Sequence, residues 1–176
     1  MPELSPIKLA LMRAVFRAHG VAARSNGNLS SQAAGHASCG SGRVENALAA
    51  AILTLGIRHA PLAEARFVFE HSSETSVREA MQREVKIPGF GNSFFRGCID
   101  PAWQEVDAML RDQFPQAAKR IDELQSWVNA DGKDLWPNAA LYSAAAFSEC
   151  GVAHGAEIAL FVMARLPAWT EIALSV

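Results

Sequence analysis

The residues of this chain able to do chemistry gather at two places. One is His59, followed by Ala60-Pro61. The other is the run Lys86-Ile87-Pro88-Gly89-Phe90-Gly91-Asn92, with Arg96 four residues further on. An imidazole gives or takes a proton near neutrality. Gly89 and Gly91 let a backbone come close to a ligand, and the Arg96 guanidinium is shaped to pair with a phosphate. Each has a plainer reading: His59 caps or packs, the two glycines keep a loop shape, and Arg96 is solvated.

The remaining reactive side chains carry less. His36 lies in a small-residue stretch and His154 near a helix start, and both read as structural. His19 and His71 fall at helix ends, where an imidazolium suits the dipole. No two histidines have metal-ligand spacing, so no metal is expected. Cys39, Cys98 and Cys150 are odd in number and far apart, which indicates buried reduced thiols and neither a zinc site nor a disulfide framework. Ser38 and Ser41 flank Cys39-Gly40 without a G-x-S-x-G elbow, which argues against a serine hydrolase. The tryptophans Trp103, Trp127 and Trp169 read as core or interface anchors.

A net charge of −2 with no basic stripe gives no footprint for nucleic acid. Met1-Pro2-Glu3 lacks a signal-peptide pattern, and no apolar run approaches the ~20 residues of a membrane span. The expected location is cytoplasmic. With 176 residues, half of them hydrophobic, the chain suits one domain or two small, closely packed ones.

The elements that must position these residues read as helices throughout. Ser5-Pro6 opens an amphipathic helix over 6–18, and Gly20 ends it. Residues 24–42 form a loop or a short small-residue helix. Residues 43–55 are apolar nearly all round and predict a buried helix. Helices follow from Pro61 to Glu70 and from Glu74 to Val85. Asp100-Pro101 caps a helix to about Gln113, and Pro115 starts the next, which ends before Asp131-Gly132. Trp136-Pro137-Asn138 is a second loop. Helices at 139–149 and 155–164 come next, then 167–174, which Pro167 bends or restarts. No stretch alternates long enough for a strand. The fold class is all-α, with about eight helices and no repeat.

Four segments, in order, resemble the citrate synthases and the related citryl-CoA lyases. Gly56 through Ala65 matches G-P-x-H-G-G-A-N-E-A. Ile87 through Arg96, then Asp100-Pro101, matches V-P-G-F-G-H-x-V-Y-K and D-P. Trp136 through Ala144 matches Y/W-P-N-V-D-x-Y-S-G. Ala164-Arg165 and Trp169 match the closing helix. The resemblance covers roughly residues 24–172 and only the C-terminal half of an ordinary family member. It implies a citrate-synthase-like domain over 1–176. Residues 1–60 would be a remnant of large-domain helices, and 61–176 mainly small-domain-like and C-terminal helices.

The resemblance also implies a chemistry and its loss. Citrate synthesis needs a carboxylate base to enolise acetyl-CoA, one histidine to stabilise the enol and another to polarise a ketone. His59 stands at the enol-stabilising position. Asn92 stands where the ketone-polarising histidine would be, and Ala140 where the carboxylate would be. Alanine accepts no proton, whereas an asparagine amide still donates a hydrogen bond. Ala102 replaces the family arginine that follows D-P, and Arg24 falls near a family substrate-contact histidine. The CoA-facing positions, Ile87, Pro88, Gly89, Phe90, Gly91 and Arg96, are better kept. The implied protein binds CoA or an acyl-CoA thioester without making citrate. The alternatives are an active CoA-thioester lyase or acyltransferase using His59 with a partner chain, or a structural interaction module. A homodimer or a complex with a related subunit is the expected assembly, with the helix at 6–18 as the candidate contact.

Overall fold

A computed structural model describes residues 4–24, 28–56 and 59–176, so Ile57 and Arg58 of the first matched segment, and Met1-Pro2-Glu3, lie outside the described residues. Nine α-helices are present among those residues, and no named strand. They are α1 (Pro6–Ala23), α2 (Leu29–Ser41), α3 (Val44–Leu53), α4 (Leu62–His71), α5 (Glu74–Gln82), α6 (Gln104–Gln113), α7 (Pro115–Val128), α8 (Ala139–Cys150) and α9 (Glu157–Leu174). A 3₁₀ turn at Pro101–Trp103 leads into α6. The all-α expectation holds.

Helix α8 is the axis of the core. Its residues Ala140 through Phe147 are all buried, and it packs on α1, α4, α6 and α7. Four alanines (140, 144, 145 and 146) make it thin enough to be surrounded. Helix α9 lies against α1, α2, α3 and α4.

Local signals explain most starts. The Ser5 hydroxyl accepts from the Lys8 N–H, with Pro6 at the first helical position. Asp100 accepts from the Ala102 N–H at 3.0 Å. Asn28 caps α2, and that small-residue helix tucks in closely: Ser31 donates to the Ala23 carbonyl and Ser38 to the Ala173 carbonyl.

Four expectations are corrected. Gly20 does not end α1, because packing of the last turn, with Ala18, His19 and Ala23 buried, outweighs a glycine's propensity cost of about 1 kcal/mol. Pro167 does not break α9. It faces solvent, as does Met163, whose carbonyl has no Pro167 N–H to accept from. Helix α3 is not buried all round: Ala47 and Ala51 are, but Leu53 is 84% exposed, since α3 packs chiefly on α2 and α9. Cys39 and Cys98 are exposed, and only Cys150 is buried.

Candidate functional site

Two loops far apart in sequence build one wall together. The Gly91 N–H donates to the Trp136 carbonyl (2.9 Å), and the Asn138 N–H donates to the Gly89 carbonyl (2.9 Å). The Asn138 amide also donates to the Gly91 carbonyl at 2.9 Å. Asn138 accepts from the Ala140 N–H as the N-cap of α8. The loop at 87–91 is thereby fixed to the start of α8. Gly89 is required there: its φ is +95°, and a Cβ would lie 2.9 Å from Leu141 Cβ.

His59 is set by a one-residue bridge. It exchanges backbone hydrogen bonds with Gly56 at 2.8 and 2.9 Å. Ala60 then turns at a φ of +62°, a left-handed conformation that costs a non-glycine residue about 1 kcal/mol. The His59 Nε2 lies 3.5 Å from the Ser30 hydroxyl. That hydroxyl donates to Asn28 at 2.7 Å, so it can only accept from an Nε2–H. Burial, then the charge of Arg165, holds the imidazole below its ordinary range. His59 is a neutral donor and acceptor near pH 7.

His59, Asn92 and Ala140 line one cavity of about 540 Å³, together with Asn138, Asp100 and Arg165. Asn92 accepts from the Phe94 N–H at 2.9 Å, which fixes its oxygen and leaves its NH₂ as the group available to donate. A second cavity of about 460 Å³ adjoins the first across Gly91, Asn92, Ser93 and Phe95, and Arg96 lines it. Arg96 is exposed. Ile87, Pro88, Gly89 and Phe90 line neither cavity; Ile87 and Phe90 pack against the core. Arg24 lines neither, and is taken up by Glu171 at 2.8 Å.

Sequence reasoning placed Arg165 only in a closing motif. It is 4% exposed, and its Nε and Nη1 are buried without a partner among the described residues. Its guanidinium sits 4.3 Å over the Phe161 ring. Burial pushes its pKa down to about 10, partly offset by Asp100. Arg165 lines the cavity, and a guanidinium at a cavity wall suits an anion. The available sequence signal was one arginine in the otherwise apolar run from Ile158 to Leu166.

Below Phe161 the rings continue inward. His19 meets Phe161 and Trp103 edge-on, each at 4.8 Å. His19 is not at a helix end as an imidazolium: it is fully buried and its Nε2 lies 2.9 Å from the Ser143 hydroxyl. Burial, then Arg165, holds it well below the ordinary range. Among the described residues no cluster of His, Cys, Asp or Glu could hold a metal ion.

The comparisons agree with this fold. The family model for the citrate synthase C-terminal domain matches residues 7–173. Citryl-CoA lyase from Hydrogenobacter thermophilus superposes with a TM-score of 0.78 at 20% identity, over 97% of this chain and 70% of that one. Citrate synthase from Thermotoga maritima gives 0.79 at 26%, over 96% of this chain and 49% of that one. ATP citrate lyase from Methanothrix soehngenii, solved with citrate and coenzyme A, gives 0.78 at 20%, over 99% and 32%. The chain thus spans about half the length of that citrate synthase and a third of that lyase. No curated protein matches it. The chain belongs to the citrate synthase family, through that family's C-terminal domain.

Proposed function

We propose that this protein binds CoA or an acyl-CoA thioester on the citrate synthase fold and does not make citrate. The observation that carries the reading is Ala140, which lines the cavity beside His59 and Asn92 at the position where the family resemblance requires a base. Among the described lining residues the remaining carboxylate is Asp100, and it is engaged as a helix cap near Arg165. Loss of a positioned base removes about 10²–10⁴ of rate. Support for CoA comes from the exposed Arg96 on the adjoining cavity, and from relatives solved with coenzyme A or with (3S)-citryl-CoA.

In this reading residues 1–60 are a large-domain remnant and 61–176 the small-domain-like part. The assembly is a homodimer or a complex with a related subunit. Apolar side chains stay exposed on α3 (Ile52, Leu53) and on α1 (Ile7, Leu9). Light scattering that finds a monomer removes this part.

The test of function is calorimetric titration with acetyl-CoA, on wild type and on Arg96→Ala. Micromolar to millimolar binding that weakens about tenfold in the variant is expected for one lost charge-assisted phosphate contact. Acetyl-CoA methyl protons in deuterated water should exchange at the buffer rate. Exchange that depends on His59 would replace this reading with an active enzyme, and no binding at all would replace it with a structural module.

A further inference from the structure

The larger cavity has more room, and more hydrocarbon on its walls, than a two-carbon acyl group needs. At about 540 Å³ it falls in the range that houses a whole small ligand. Among the described residues lining it, Arg165 is the only lysine or arginine and Asp100 the only carboxylate. Asp100 lies close enough to act on the charge of Arg165. Phe161 covers one face of the guanidinium at 4.3 Å, and the residue is 4% exposed. His59 is held neutral by burial and by Arg165. The lining therefore offers no net charge to the group that enters.

Much of the remaining wall is apolar. Ala139 and Ala140 present only methyls at the start of α8, and Phe94 and Phe95 border the same space. Phe94 is 63% exposed, Phe95 is half-buried, and neither belongs to the core cluster. Two adjacent phenylalanines with no core role, at the edge of a cavity, leave apolar surface for a ligand to cover. Phe95 also lines the smaller cavity, where Arg96 stands. One ligand can thus meet Arg96 at one end and the phenylalanines at the other.

We propose that the larger cavity selects the acyl group of the thioester and favours a longer straight alkyl chain over acetyl, with Phe94 and Phe95 as the specificity-determining residues. The proposal rests on the thioester binding argued above and names its acyl class.

The experiment is calorimetric titration of the whole chain with CoA, acetyl-CoA, butanoyl-CoA and hexanoyl-CoA. Burying alkyl surface strengthens binding up to about fourfold per methylene, so hexanoyl-CoA should bind at least about tenfold more tightly than acetyl-CoA. Phe94→Ala, at an exposed position that does not line the smaller cavity, should flatten that dependence on chain length. Phe95→Ala should flatten it further, and Phe94→Ala keeps the test decisive if the half-buried variant does not fold. Arg96→Ala should weaken every ligand by a similar factor and keep the dependence. Acetyl-CoA binding as tightly as hexanoyl-CoA would overturn the acyl class and leave thioester binding standing. A chain-length dependence untouched by both phenylalanine substitutions would put the alkyl chain elsewhere, such as on the exposed Ile52 and Leu53 of α3, and would overturn it too. No binding of any ligand at millimolar concentration would remove both the acyl class and the thioester reading.

Discussion

Two arginines in this molecule are equally buried and opposite in every other respect. Arg66 on α4 and Arg165 on α9 are each 4% exposed. Arg66 has a partner on every side: Glu70 at 2.8 Å, Glu157 at 2.9 Å and the Val152 carbonyl at 2.9 Å. Glu157 in turn accepts from the Gly155 N–H. Arg165 has an aromatic ring beneath it and, among the described residues, no partner for Nε or Nη1. Burial alone does not tell a structural cation from a binding one. Satisfaction separates the two: the first group holds α4, the 151–156 turn and the start of α9 together, and the second lines a cavity with two donors unsatisfied among the described residues.

The largest expected effect tests the satisfied side. Arg66→Met leaves Glu157, itself 2% exposed, without its cation, and should cost about 3–5 kcal/mol by urea denaturation. A loss below about 1 kcal/mol would mean that the pair is as weak as a surface bridge, and the contrast would collapse. Arg165→Met should move the other way and raise stability by about 1–3 kcal/mol, because it removes unpaired buried donors. A large loss there would mean that the guanidinium is structural after all.

The next effect is a slope with pH. His19 is held well below its ordinary range in the folded state, so below about pH 6.5 the unfolded chain takes up a proton that the folded chain refuses. Stability then falls as the solution is acidified, by about 1.4 kcal/mol per pH unit for that one group. His59 acts in the same direction. Glu70 and Glu157, both held below the ordinary carboxylate range, contribute stability that is lost only further down, below about pH 4.5. Urea midpoints from about pH 8 to pH 5 should show the first step, flattened in His19→Gln. The step should also narrow in Arg165→Met, since Arg165 is part of what keeps His19 neutral.

The smallest effect sits at the cavity rim. Ala60→Gly relieves a left-handed φ of +62° and should add about 1 kcal/mol by thermal melting. A neutral result would mean that the glycine's freedom in the unfolded chain cancels the relief.

What the sequence disclosed follows from where the information lives. Caps and prolines are local, so Ser5-Pro6, Asp100-Pro101 and Pro115 placed three starts well. The continuation of α1 past Gly20 and of α9 past Pro167 depends on which face meets a neighbour, and composition does not carry that. The exposure of Leu53 fails for the same reason. His59, Asn92 and Ala140 could be grouped because a family pattern spans them, and they do share one cavity. Arg165 could not be singled out, because its meaning is the lack of a partner in space. Phe94, Phe95 and Asp100 border the cavity through the course of a loop that no periodicity describes.

The hydrogen bonds that tie Gly89 and Gly91 to residues 136–138 have a consequence for how the chain comes together. Gly91 and Asn138 stand 47 positions apart, with α6 and α7 between them. Closing so long a loop costs entropy that the intervening helices must offset by packing first. A growing chain that has not yet emitted Trp136 owns one loop with nothing to lean on. The cavity is therefore among the last parts to form, and destabilising the distant α6–α7 pair should loosen it before any of its own residues is touched.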